Sequence, residues 1–343
     1  MMNMIRNIAL MLLLVFSILP VTSRTVNPIL PGFHPDPSIC RVGDEYYICT
    51  SSFTWYPGLP IYRSRDLVHW QLAGHGIHRP GMVSLDGVRD KDGVWAPTIR
   101  HHDGRWYIFC NVSNGGNFYI TADDVAGPWS DPIFIKDMPG IDPSVFWDDD
   151  GTAYAMGNIY RFPGRKYQGS TAIWIQQIDL STGTLTGERH ILTTGHALNA
   201  RYAEGAHLYK IGGRYVLTMA EGGTDYNHAV TVLSSKSIFG PYLPQQVNPV
   251  LSQRQFGHGC PLQSVGHADL VQTPAGRWYA VALSKRMVGG RHRAPPQRLS
   301  LCGPAAHRGR NRGCGERPHH ADHSLYRSRR VLPHLGKRHL GHA

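Results

Sequence analysis

The sequence predicts an all-β chain, a five-bladed β-propeller whose fifth blade is left open to being incomplete, and three observations predict it. A short unit recurs five times: a small or polar head residue, a brief apolar run, a glycine-centred turn, then an aromatic run. That is how a strand, a tight turn and a returning strand read in sequence. The turn glycines, Gly43, Gly104, Gly151, Gly213 and Gly276, fall at intervals of 61, 47, 62 and 63 residues. Strand units repeating at this period, with no long amphipathic helix between them, describe propeller blades.

In chain order the units are DPSICRVGDEYY from Asp36 to Tyr47, APTIRHHDGRWY from Ala96 to Tyr107, DPSVFWDDDGTAY from Asp142 to Tyr154, EGAHLYKIGGRY from Glu204 to Tyr215 and HADLVQTPAGRWY from His267 to Tyr279. The innermost strand of every blade runs beside the central channel, so matching head residues converge there. Asp36, Asp142, Glu204 and His267 are therefore expected to face one funnel, although they lie up to 231 residues apart. The second unit offers Ala96 at this place, with Trp95 before it. Runs such as IYRSRDLVHW and ITADDVAGPW lie between the units and read as outer strands and their turns.

Residues 1–23 carry Arg6, an apolar run from Ile8 to Leu19 and small residues near Ser23, the pattern of a secretory signal peptide. The run is shorter than the roughly 20 apolar residues a membrane span needs. A secreted or periplasmic location and no membrane after cleavage are expected. Residues 24–288 form the propeller domain, and 289–343 a basic tail of low order. Six cysteines at irregular spacing suit neither a disulfide framework nor a zinc site and read mostly as small core residues.

The net charge of +11 would point to nucleic acid were it spread along the chain. It is not. From Lys285 to Ala343 there are 14 Lys and Arg against Glu316 and Asp322, whereas the preceding 284 residues hold 21 basic and 22 acidic residues. From about Gly289 the apolar alternation stops, and the text turns to Arg, His, Pro and Gly. Such a stretch buries too little apolar area to offset its ordering entropy. An out-of-frame reading of the source gene explains the abrupt change better than a nucleic-acid arm does, so no nucleic-acid partner is expected.

The stretches NPILPGFHPDPSI, GVWAPTIRHHDGRWYIF, GIDPSVFWDDDG, AEGAHLYK and GHADLVQTPAGRWYAVAL, in this order and at these spacings, resemble glycoside hydrolase family 43, in its β-xylosidase and α-L-arabinofuranosidase branch. The resemblance covers about residues 27–288 and implies a five-bladed propeller that removes xylose or arabinose from xylan- or arabinan-derived oligosaccharides with inversion. It implies that Asp36 is the general base, Glu204 the general acid and Asp142 the residue that orients the acid. His267 resembles the channel histidine over an axial water, calcium or sodium ion; no cofactor is otherwise implied. Relatives carry a Gly-Arg-Glu-Thr segment after the fifth head and append a β-sandwich. Neither is visible here, and Arg291 and Arg293 are what remains in the neighbourhood of the missing arginine. A non-catalytic sugar-binding propeller, or a defective gene product, is the alternative.

The chemistry suits these residues on physical grounds. Cleaving a glycosidic bond needs one carboxyl group protonated and another ionised. Three carboxyl groups in one funnel supply both, because burial and mutual repulsion raise one pKa while hydrogen-bond donors hold another low. Asp-Pro-Ser at 36 and 142 could instead be turn chemistry, but it recurs at the same phase of two units. Glu221 is the competing acid. Phe53, Trp55 and Trp95 are the aromatic candidates for stacking on a sugar face, with Phe33 and Trp147 as alternatives.

Overall fold

The computed structural model describes residues 27–286 and the strand 297–302. Apart from one turn of 3-10 helix at Arg254–Phe256, every regular element described is a strand. The first sheet holds β1 (Ser38–Val42), β2 (Glu45–Cys49), β3 (Gly58–Ser64) and β4 (Gln71–Ile77). The second holds β5 (Thr98–His102), β6 (Arg105–Val112), β7 (Gly116–Ala122) and β8 (Ile133–Phe134). The third holds β9 (Ser144–Trp147), β10 (Ala153–Ile159), β11 (Ala172–Asp179) and β12 (Thr184–Thr193). In the fourth, β13 (Glu204–Ile211), β14 (Arg214–Glu221), β15 (Ala229–Ser235) and β16 (Leu243–Pro244) lie in order, and β17 (Leu251–Ser252) pairs with β15. The last sheet is β18 (Leu262–Gln272), β19 (Trp278–Arg286) and β20 (Gln297–Cys302).

Each sheet is an antiparallel meander, and the first hairpin of each is the repeated unit of the sequence. The turns explain their glycines. In Asp103-Gly104 and Gly212-Gly213 both residues have positive φ, as a two-residue hairpin turn that follows the strand twist requires. A Cβ on Gly104 or Gly213 would meet nothing within 4 Å, so backbone angle and not crowding selects glycine there.

The sheets close into a propeller arrangement. Inner strand β1 packs beside β5 and β18, and β13 beside β9 and β18, with β5 next to β9. One apolar cluster fills each junction between neighbouring sheets. Ile61, Ile99 and Ile108 join the first two sheets, Phe109, Val145 and Trp174 the next pair, and Met156, Leu208 and Leu217 the third and fourth. Val230, Val265 and Ala282 join the fourth to the last, and Ile39, Ile48 and Val281 bring the last sheet back to the first. Burying one such side chain contributes about 1.5–3 kcal/mol, so the junctions hold the ring.

Sheet pairing runs past residue 288, where the sequence placed the end of the domain: β20 pairs with β19 from Lys285 opposite Gln297 to Ala280 opposite Cys302. The sheet thus extends at least to Cys302. Leu299 and Leu301 alternate with Arg298 and Ser300, a strand signal too short to stand out among the surrounding basic residues. The leader at 1–23 and the rest of the tail lie outside the described residues. Cys49, Cys110 and Cys260 are buried and Cys40 is half-buried, in line with their reading as core residues.

Candidate active site

At one end of the channel the head residues meet. Asp36 and Asp142 each stand two residues before an inner strand, β1 and β9, and Glu204 is the first residue of β13. Asp36 (φ 51) and Asp142 (φ 55) adopt the left-handed conformation, which Asp tolerates better than most residues and which turns the carboxylates out of the strand direction. Gly205 (φ 55) and His267 (φ 46) share this conformation. His267 sits within β18, not at its head, because the ladder to β19 shifts register on both sides of Gly266. That bulge aims the imidazole at the carboxylates.

Contacts tie the four together. Ser51 Oγ donates to Asp36 Oδ2 at 2.7 Å, and His267 Nδ1 lies 3.8 Å from Asp36 Oδ1. The Gly205 N–H donates to Asp142 Oδ2 at 3.1 Å, fixing Asp142 beside the residue that follows Glu204. The His267 ring packs over Gly205 so closely that a Cβ there would stand 2.8 Å from it. Asp142 is 8 % exposed. Burial raises its pKa to about 6, and the charge of Asp36 adds to this, against the pull of His267 and of the Gly205 N–H. Glu204 is pushed well above the usual carboxyl range, by burial first and then by Asp142 and Asp36. A carboxyl group whose pKa is raised beside other carboxyl groups is placed to be the acid of an acid and base pair.

Below the carboxylates a buried ionic network plugs the channel. Arg100 on β5 donates to Asp269 on β18 through Nη1 (2.8 Å) and Nη2 (3.2 Å), and Nη2 also donates to His207 Nδ1 at 3.1 Å. Ser38 Oγ donates to Asp269 at 2.6 Å, as does the hydroxyl of Tyr209. Asp269 thus gathers donors from three other inner strands, which fixes the blades relative to one another. His207, buried, is held neutral with a pKa of about 3. Because Arg100 only donates, His207 Nδ1 accepts, and Nε2 carries a hydrogen with no protein partner.

The family model for glycosyl hydrolases family 43 matches residues 25–302. The chain belongs to that family. It is 44% identical over 268 residues to a xylosidase/arabinosidase of Butyrivibrio fibrisolvens, covering 77% of this chain and 52% of that protein. It is also 44% identical over 271 residues to a non-reducing end alpha-L-arabinofuranosidase of Bacteroides ovatus, covering 78% of this chain and 49% of that protein. Among solved structures it resembles a xylan beta-1,4-xylosidase from Bacillus halodurans C-125, with a TM-score of 0.76 and 37% identity over 81% of this chain and 54% of that one. The chain spans about half the length of the curated relatives it matches.

Within this family 43 chain the aromatic candidates separate. Phe53 and Val94 exchange backbone hydrogen bonds of 2.8 and 2.9 Å, which sets Phe53 beside the segment bearing Trp95; its ring is 5.5 Å from Phe33. Trp55, 72 % exposed, stands further out on the same loop. Trp147 is excluded. It ends β9, away from Asp142, and stacks on His102 at 4.4 Å within the packing of the second and third sheets. Glu221 is excluded as the acid, since its carboxylate accepts from His196 N (2.8 Å), His196 Nδ1 (2.6 Å) and Thr231 Oγ1 (2.9 Å). Arg291 and Arg293 lie outside the described residues. Two site residues went unpredicted: Ser51 and Asp269. Asp269 was legible, being two residues beyond His267 in one strand.

Proposed function

We propose that this chain is the catalytic part of an exo-acting glycoside hydrolase that removes xylose or arabinose units from xylan- or arabinan-derived oligosaccharides with inversion. Asp36 deprotonates a water as it attacks the anomeric carbon. Glu204 gives its proton to the departing glycosidic oxygen, and one bond to carbon breaks as the other forms. Asp142 orients Glu204 through the Gly205 backbone, and its charge adds to the burial that raises Glu204. Phe53 and Trp95 take the sugar faces and exclude water from the bond being cleaved. The observation that carries this reading is the set of three carboxyl groups at one channel end, with Glu204 shifted far up.

Under this reading the sheet of β18, β19 and β20 is the fifth blade, with three described strands where the others have four or more. The axial contact expected at His267 is a water or a cation; the N–H at His207 Nε2, buried and without a partner among the described residues, suits a water oxygen. No step runs through an ion. The leader-like residues 1–23 support a secreted or periplasmic site of action. Purified full-length chain should hydrolyse nitrophenyl β-xylopyranoside or nitrophenyl α-arabinofuranoside, and Glu204→Gln should not. Activity on neither substrate, or equal activity in the variant, would remove the assignment.

A further inference from the structure

A cavity of about 500 Å³ opens between the segment joining β10 to β11 and the segment joining β12 to β13. Phe162, Tyr167, Ile191, His196 and Leu198 line it, with Lys166, and none of the three carboxyl groups of the site does. Both segments lead into the funnel. The first leaves β10 at Tyr160. The second reaches Glu204 through Arg201, Tyr202 and Ala203. Tyr202 ties them together, since its N–H donates to Gly169 O at 2.7 Å and its ring lies 3.0 Å from where a Cβ on Gly169 would sit. His196 of the cavity wall bonds Glu221, the residue after Ala220, which pairs with Glu204 across β13 and β14, so the cavity adjoins the strand end that bears the proton donor of the reading above.

Lys166 lines the cavity, Arg161, Arg165 and Arg201 lie on the same two segments, and neither segment carries an acid between β10 and β11 or between β12 and β13. Arg161, Arg165, Lys166 and Arg201 are exposed, and no carboxylate pairs with any of them among the described residues. Arg201 instead lies over the Tyr202 ring at 5.2 Å. Elsewhere exposed arginines do find acids, Arg79 with Asp131 and Arg89 with Asp92. Glu221, whose carboxylate contacts the lining residue His196, is taken up by His196 and Thr231. Like charges gathered at a concave site raise the local concentration of an anion. A neutral saccharide would use the apolar wall and leave the four cations uncompensated.

We propose that the cavity is a leaving-group subsite for an oligosaccharide bearing a uronic acid, whose carboxylate the four cations hold while Phe162, Tyr167 and Leu198 contact the sugar rings. This rests on the glycosidase reading above. The test compares kcat/KM of the full chain on a neutral xylo-oligosaccharide and on one carrying glucuronic acid on the leaving side. The wild type should favour the acidic substrate. Arg165→Gln/Lys166→Gln should lose about tenfold of that preference, in KM, a factor equal to about 1.4 kcal/mol. Added salt should erode the preference in the wild type, and Arg79→Gln, whose cation is already paired, should leave it in place. No preference in the wild type, or an equal loss on both substrates in the double variant, would overturn the proposal. Should the chain hydrolyse no pentoside, the glycosidase reading fails separately. Calorimetric binding of the two oligosaccharides then decides the subsite, with tighter binding of the acidic one supporting it and equal affinity overturning it.

Discussion

Replacing Asp142 with asparagine keeps the shape of a side chain whose charge the fold holds with difficulty. Its pKa is raised from 3.8 to about 6, a shift of roughly two units at about 1.4 kcal/mol each. Between these values the native state binds the proton more tightly than the unfolded chain, so stability falls as pH rises from 3.8 to about 6. The loss, ~3 kcal/mol, is complete above that window and absent below it. Asparagine still offers an oxygen to the Gly205 N–H. Asp142→Asn should therefore melt higher than the wild type near about pH 7.5, by about 5 °C for a chain of this size, and at nearly the same temperature near about pH 3.5. Turnover should fall by about 10²-fold or more, with a displaced limb in the pH profile, because the charge that adds to burial in raising Glu204 is gone. Scanning calorimetry at the two pH values, with turnover measured on the same samples, checks both. An equal drop in melting temperature at both pH values would show that the carboxylate is a structural acceptor, and the argument from burial would be refuted.

Glu204→Gln and Asp36→Asn should each lower turnover by about 10²- to 10⁴-fold while calorimetry still detects oligosaccharide binding. Arg100→Met leaves Asp269 buried without its main partner and should cost about 3–5 kcal/mol, read as a lower melting temperature that the Arg100→Met/Asp269→Asn pair partly restores. Gly205→Ala puts a Cβ into the His267 ring at a φ of 55; a loss of about 1–3 kcal/mol in denaturant melts, together with slower turnover, is expected.

Much of the fold is legible because its signals are local and repeated. A strand, a turn glycine with positive φ and an aromatic return strand recur at each unit, and propeller geometry turns matching positions into neighbours. That is how Asp36, Asp142, Glu204 and His267 could be brought together from residues far apart in the chain. What stayed hidden depends on contacts between units. Ser51 reaches Asp36 only because the chain after β2 folds back on Pro35, to whose carbonyl its own N–H donates at 3.1 Å. Trp147 misled because an aromatic close to a catalytic-looking Asp in sequence lies at the opposite end of a four-residue strand. Glu221 reads in sequence as an acid beside a glycine pair, and only the His196 contacts show that it is occupied.

The central claim is that Asp36 and Glu204 act on opposite faces of the sugar with one water between them. Proton NMR of the first sugar released from a β-linked xylo-oligosaccharide, recorded before mutarotation, tests it directly. Inversion predicts α-xylose as the first-formed product. Release of β-xylose would mean a covalent intermediate on one carboxylate, and the acid and base assignment drawn from this funnel would be wrong.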